Sequence, residues 1–410
     1  MKIFVVVDDY MPNSIKVGAK MMHEMSCELV KQGHEVTVLT PNPYQKEDLV
    51  QISLDGVDIL KFKSKEIKNV SKVKRAINES MLSLNAYSAT KEYCKNNPHD
   101  YIIYYSPTIF FGYFIKQLKK MWGVSSYLIL RDIFPQWAVD QGIIKKGSAI
   151  EKYFQHFENV NYEAADKIGL MSEANLEWFK KNRKVKAQLE VLPNWASITP
   201  VYSTNKYRKK LGLEDKVIYF YGGNMGHAQD MMNIVRLAKK MQFHNKAHFL
   251  LVGAGDEVEL VKKAIKEYDL NNMTILPPVS QQEFKQLLSE CDIGLFTLHR
   301  NHKTHNFPGK LLGYMVQNMP ILGSINPNND LQEVIENANA GLVTVNGEDR
   351  KLYKNAKLLL NEDLRKILGS NAKSLLDTKF SIYSAVNSIV PAYMDKTFRE
   401  SPYRVKNHRR

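Results

Sequence analysis

From Ile3 onward, short uninterrupted apolar runs alternate with stretches of helical period, and few folds accommodate that order. Residues 3–7 form the first run, a polar loop covers 8–18, and a helical pattern runs from Ala19 to Lys31 before Gly33 closes it. Glu35 to Thr40 reads as the next strand, which completes a βαβ unit of the length a parallel sheet needs. Further strands are expected at 101–105, 126–130, 168–171 and 189–192. The scheme then begins again with strands at 217–221, 247–252, 273–276, 293–297 and 321–323. Helices 229–241, 256–267, 281–289 and 309–317 stand between them. A chain of 410 residues exceeds one ordinary core, so two domains are expected. The segment from Asn194 to Lys206 lacks periodicity and holds turn residues, which makes it the expected linker. The expected class is α/β, with two Rossmann-like doubly wound halves whose ligands gather outside the carboxyl ends of the strands.

Composition narrows the setting. Apolar residues make up 44% and charged residues 24%, the proportions of a soluble globular protein. No run approaches the ~18 apolar residues of a membrane span. The opening run reaches carboxylates at Asp8 and Asp9, and it reads as a first strand rather than a secretory segment. Cys27, Cys94 and Cys291 are scattered without metal or redox spacing, which fits a reduced cytoplasm.

The formal net charge of +14 concentrates in three places: Lys61 to Arg75, Ile115 to Trp122, and the tail from Arg399 to Arg410. No nucleic-acid-binding signature accompanies it, so a nucleic-acid partner is not expected. Residues 109–122 mix aromatics with lysines, as helices lying on an anionic membrane surface do. A half-buried helix with a solvated lysine face has the same pattern. The terminal run reads as a solvated tail.

The loops at the strand ends carry the chemistry. Pro308 and Gly309 lead into a helix with Lys310 at its start, where free N–H groups and the dipole already favour an anion. A cation there, in a glycine-containing loop, suits a diphosphate. Gly222-Gly223-Asn224-Met225-Gly226 is a second glycine-rich strand-to-helix turn, with His227 and Gln229 beyond it. His227 reads equally as a surface residue. Gly253 follows the strand 247–252 in a Gly-Ala-Gly turn that lacks a dinucleotide fingerprint's third glycine. Pro277-Pro278-Val279 reads as a proline-stiffened strand exit. In the first half, Gly18 allows close backbone approach or simply makes a turn. Strand 126–130 delivers Arg131 and Asp132 at its carboxyl end. Asp132 is a candidate for the proton of an attacking hydroxyl, or a capping residue paired with Arg131.

Together these motifs resemble the large fourth family of glycosyltransferases, which have the GT-B fold of two Rossmann-like domains facing a central cleft. The family's donor block reads P-x-K-x-x-E-Y-M-x-x-G-x-P-V, and Pro308, Lys310, Tyr314, Met315, Pro320 and Ile321 match it. Gly313 stands where the family has a glutamate, and His305 stands eight residues before it, where a second glutamate is usual. The Asp-Ile-Phe-Pro loop at 132–135 is similar to that of the bacterial polysaccharide branch. The run from Asn306 to Tyr314 is most similar to proteins described as N-acetyl-L-fucosamine transferases of O-antigen and capsule assembly.

The resemblance implies domains at 1–198 and 199–380, with a last helix at about 381–400 crossing back to the first. It implies transfer from a UDP-activated sugar to an undecaprenyl-diphosphate-linked saccharide, with no cofactor and no metal. The setting implied is cytoplasmic, in peripheral contact with the inner face of the plasma membrane. Asp132, His305 and Lys310 are the implied catalytic residues. The implied donor side comprises Gly18, Gly223, Asn224, Gly253, Pro278, Val279, Pro308 and Gly309, with Asp330 or Glu333 replacing the missing ribose carboxylate. If a β-linked L-sugar nucleotide yields an α-L product, the transfer inverts and a base becomes obligatory. A UDP-sugar 2-epimerase and a non-catalytic sugar-nucleotide-binding protein are the competing readings.

Overall fold

The computed structural model describes residues 1–390 apart from 13, 15, 67–69, 141, 302–307 and 328. Two compact units divide the chain: Met1–Pro193 with the described residues from Ala385 on, and Asn194–Ser384.

The first unit holds an eight-stranded sheet. Its strands are β1 (Lys2–Val6), β2 (Glu35–Asn42), β3 (Leu49–Leu54), β4 (Val57–Lys63), β5 (Tyr101–Ser106), β6 (Ser125–Leu130), β7 (Lys167–Leu170) and β8 (Gln188–Val191). They lie in the order β3-β4-β2-β1-β5-β6-β7-β8, and only the β3/β4 pair is antiparallel. The second unit holds six parallel strands: β9 (Val217–Gly222), β10 (Ala247–Val252), β11 (Met273–Leu276), β12 (Ile293–Thr297), β13 (Ile321–Ile325) and β14 (Gly341–Val345). Their order is β11-β10-β9-β12-β13-β14. Both are doubly wound α/β sheets, the architecture of the GT-B fold. The strand order reverses beside β1 in the first sheet and beside β9 in the second. Loops leaving the carboxyl ends at these switch points are where such sheets hold ligands.

Three local features add to the sequence reading. The hairpin β3–β4 was not expected, although Asp55-Gly56 between two alternating runs is its signature. Both turn residues have positive φ, 52° and 80°. Because β4 belongs to the sheet, Lys61 is not part of a solvated basic run; it is 8% exposed and burial lowers the pKa of its ammonium. The expected linker begins at the boundary between the units, and its first residues are tied down, while 197–205 form no helix or strand. Trp195 is buried, and Ala196 bridges Ser381, donating to Phe380 O at 3.0 Å and accepting from Ile382 N at 3.1 Å. Finally, the aromatic–lysine segment forms the helix Gly112–Trp122, whose Phe114, Ile115 and Leu118 are buried in the core with Ile109, Phe110 and Phe111 before it. Trp122 Nε1 donates to Cys94 O at 2.8 Å, while Lys116 and Lys119 pair with Glu163 and Asp166. This helix therefore has little apolar face left for a membrane. No helix among the described residues is long and apolar enough to cross one.

Period-two burial makes the second core. Along β9, Ile218 and Phe220 pack on one face, while Val217, Tyr219 and Tyr221 pack on the other. One glycine sets the pose of the helix Lys310–Val316. A Cβ at Gly294 on β12 would lie 2.2 Å from the Tyr314 ring, so only glycine admits that ring. Tyr314 then donates its hydroxyl to Leu295 O at 2.9 Å. The buried ring and this bond, worth about 1.5–3 and 0.5–1.5 kcal/mol, pin the helix to β12.

Candidate functional site

The pinned helix places Lys310 beside the turn that leaves β9. Its ammonium lies 3.5 Å from the centroid of the Tyr221 ring. A Cβ on Gly223 would be 3.8 Å from the same nitrogen. Burial depresses the Lys310 pKa to about 7. No carboxylate offsets this cost, since Lys310 makes no ion pair among the described residues. A half-buried cation over an aromatic ring, at a switch point, has the electrostatics that an anion would relieve.

The turn is built for close approach. Gly223 has φ of 120° and donates its N–H to Val252 O at 2.9 Å. Gly253, after β10, has φ of 151°, and a Cβ there would lie 1.9 Å from Gly223 O. Its own N–H donates to Leu276 O at 3.2 Å, so the exits of β9, β10 and β11 lie side by side. Tyr221 donates its hydroxyl to Asn224 O at 2.5 Å. Asn224 Nδ2 and Gly226 N–H both donate to Gln229 Oε1, at 2.9 and 3.1 Å. The Asn224 amide thus braces the turn. His227 is exposed, sits 3.6 Å from Glu257 and faces the His299 ring at 5.1 Å. The helix read over 229–241 is two pieces, His227–Gln229 and Met231–Met241, broken at Asp230 with φ of 50°.

The structure thus brings Lys310, Gly223 and Gly253 together, with Asn224 bracing their turn. Pro308 O and Gly309 O accept from Leu311 N and Leu312 N, which makes them the tight first turn ahead of Lys310. Pro278 is exposed and Val279 packs on the core between β11 and the helix Gln281–Leu288. Asp330 stands at the start of the helix Leu331–Asn337 without a side-chain capping bond, and Glu333 is exposed in its first turn. His305 lies outside the described residues. At Gly313 a Cβ would approach Leu288 Cδ2 to 3.3 Å, a tight fit for any side chain.

The first unit has its own polar cluster at the β1/β5 switch point. Gly18 is not in a loop; it lies in the first turn of the helix Val17–Lys31. A Cβ there would lie 3.0 Å from the hydroxyl of Tyr105. Burial pushes the Tyr105 phenol up to about 12, with Arg131 opposing and Asp8 and Asp132 reinforcing. The charges of these three groups therefore all act on one phenol. Arg131 donates to Leu130 O at 3.2 Å and Pro193 O at 3.3 Å. Burial raises the Asp132 carboxyl, and Arg131 partly offsets this.

Asp8 was missed by sequence reasoning. Burial raises its pKa to about 6, with Lys16 opposing. It borders a cavity of about 130 Å³ with Asp9, Thr40, Asn42 and Lys61. Its place directly after an apolar strand was the only signal available. A carboxyl titrating near neutrality suits proton transfer.

Comparison with known proteins bears on both units. Residues 203–375 match the family model described as glycosyl transferases group 1. A protein named as a colanic acid biosynthesis glycosyl transferase, WcaI of Escherichia coli K12, is 24% identical over 331 residues, covering 76% of this chain and 80% of the relative. WbjE of Pseudomonas aeruginosa, named as a glycosyltransferase, is 23% identical over 272 residues, covering 65% and 67%. Among solved structures, Anabaena HepE in complex with UDP has a TM-score of 0.65 at 14% identity, covering 98% of this chain and 100% of that one. Sucrose-phosphate synthase from Thermosynechococcus elongatus has a TM-score of 0.68 at 14% identity, with 98% and 100% covered.

Proposed function

We propose that this chain is a group 1 glycosyl transferase, the family whose model matches residues 203–375, and that it moves a sugar from a UDP-sugar to a hydroxyl of an undecaprenyl-diphosphate-linked saccharide. The donor sugar in this reading is N-acetyl-L-fucosamine, from the sequence resemblance at Asn306–Tyr314. The product belongs to surface polysaccharide assembly, and the acceptor would bring the protein to the inner face of the membrane. WcaI, named for colanic acid biosynthesis, supports the polysaccharide setting, and HepE, solved with UDP, supports the nucleotide.

One observation carries the reading: the ammonium of Lys310, without an ion-pair partner among the described residues, lies against the Gly222-Gly223 turn at the expense of its own protonation. A diphosphate arriving at the turn restores that charge. One cation ~4 Å from a phosphate charge contributes about 4 kcal/mol at an effective dielectric near 20, before desolvation. The charge on the leaving diphosphate grows as the glycosidic bond breaks, so the interaction strengthens toward the transition state. Gly223, lacking a Cβ, lets the phosphate oxygens reach the backbone. Asp132 and Asp8 are the groups in the first unit able to take the acceptor's proton.

The test is a panel of UDP-sugars offered to the full chain with an undecaprenyl-diphosphate-linked saccharide, read by mass spectrometry. One added sugar on the lipid and stoichiometric UDP release are expected. Epimerisation without acceptor, or UDP binding with no transfer to any acceptor, would overturn the proposal.

A further inference from the structure

In the first unit, three side chains that the proposed transfer does not use converge on one point. His23 and Cys27 stand one turn apart on the helix Val17–Lys31. Asp55 reaches them from the tip of the β3–β4 hairpin, whose Gly56 sits on the same helix: a Cβ there would lie 3.3 Å from Val30 Cγ1. Asp55 Oδ2 is 3.0 Å and Cys27 Sγ is 3.6 Å from the same nitrogen, His23 Nε2. The three atoms all lie within 4.8 Å of one another.

One imidazole N–H cannot serve both neighbours well, whereas a single cation can. A tetrahedral zinc ion with ordinary bond lengths separates its nitrogen from an oxygen ligand by about 3.3 Å and from a sulfur ligand by about 3.6 Å. The observed separations from Nε2 need little adjustment, and Asp55, 68% exposed in its side chain, is free to supply it. The other ring nitrogen is already held: Tyr10 Oη lies 2.9 Å from His23 Nδ1. Zinc-binding histidines are oriented by such an outer contact. Tyr10 and His23 are 3% and 8% exposed, so this nitrogen is presented by a rigid, buried ring.

We propose that His23, Cys27 and Asp55 form a binding site for a divalent ion of zinc type, with a fourth position open to solvent. Nitrogen, sulfur and carboxylate oxygen together select zinc or a similar borderline metal over magnesium or calcium. On binding, the Cys27 thiol proton leaves to solvent and the sulfur bonds the metal as thiolate. The ion clamps the hairpin tip to the helix and takes no part in sugar transfer. This site is independent of the donor-site reading.

The experiment strips the full-length protein with chelator and titrates it with Zn²⁺ alone by calorimetry, then with Co²⁺ by absorption spectroscopy. One Zn²⁺ per chain, micromolar or tighter, and a thiolate-to-cobalt charge-transfer band are expected. Cys27→Ser should abolish the band, and Cys27→Ser and Asp55→Asn should each weaken Zn²⁺ binding at least about tenfold. Tyr10→Phe should weaken it less while keeping the band, as a positioning residue would. Asp55 is exposed at a turn, so Asp55→Asn carries the test should Cys27→Ser not fold. Absence of stoichiometric binding, a cobalt complex without the band, or full affinity in Asp55→Asn would overturn the proposal.

Discussion

The Lys310 ammonium rests 3.5 Å over the ring of Tyr221, a residue 89 positions earlier that is itself fully buried on β9. The ring's face supplies a weak counter-charge of about 0.5–2 kcal/mol, too little to offset the loss of water. The result is a cation whose protonation is marginal until an anion arrives.

Lys310→Met should separate stability from function. The unfolded chain keeps this proton across the window from pH 7 to 10.5, while the folded chain gives it up at about 7. Stability therefore rises with pH across that window, and at pH 7 the variant should unfold at a higher temperature than the parent. Each 1 kcal/mol gained raises Tm by roughly 2–4 °C in a unit of this size. Transfer should fall by roughly 10²-fold or more. Calorimetric scans and an initial-rate assay check the pair of effects; an unchanged rate would remove Lys310 from the site.

Donor binding should weaken as pH rises above about 7. A bound diphosphate raises the Lys310 pKa, so binding takes up a proton wherever free Lys310 is neutral. Calorimetry with a UDP-sugar at pH 6.5 and 8.5, in buffers of different ionisation enthalpy, measures that uptake. The Lys310→Met variant should lose it.

Gly253→Ala should be more damaging than Gly223→Ala. Both glycines have positive φ, but a Cβ at 253 would meet Gly223 O at 1.9 Å, whereas one at 223 meets only the Lys310 side-chain end at 3.8 Å. Strained backbone of this kind costs on the order of 1–3 kcal/mol, to which Gly253→Ala adds displacement of the neighbouring turn. Denaturant titration should rank the two, and Gly223→Ala should act mainly on the KM for donor.

Asp132→Asn should remove most turnover while leaving UDP affinity intact. Asp8→Asn tests the second carboxylate. If Asp8 accepts the proton, kcat rises with pH through about 6 and Asp8→Asn flattens that limb. On stability the sign is opposite to that of Lys310. Burial raises Asp8 from 3.8 to about 6, so its favourable contribution is complete below 3.8 and is lost as pH rises through about 6. Asp8→Asn should therefore stabilise the protein above pH 6, as read by the unfolding midpoint in urea.

Patterns that repeat locally were legible before any coordinates. The apolar runs became strands because a parallel strand buries both faces and needs continuous hydrophobicity. The glycine turns and Lys310 could be placed at strand ends for the same reason. The β3–β4 hairpin escaped because its polar alternation, split by Asp55-Gly56, is a weaker signal than the charge of Lys61 and its neighbours. Residues 109–122 pack as a core helix with a paired rim, one of the two readings that their mixture of aromatics and lysines allowed.

From residue order alone came the two doubly wound halves, the glycine-rich turns at strand ends and the cation, because each rests on spacings within about 20 residues. Only the folded chain decided which groups share an environment. The pairing of Lys310 with Tyr221, the carboxyl of Asp8 raised by burial, and the meeting of His23, Cys27 and Asp55 all depend on contacts between distant segments. Desolvation and convergence are properties of three-dimensional neighbours, and no local pattern encodes them.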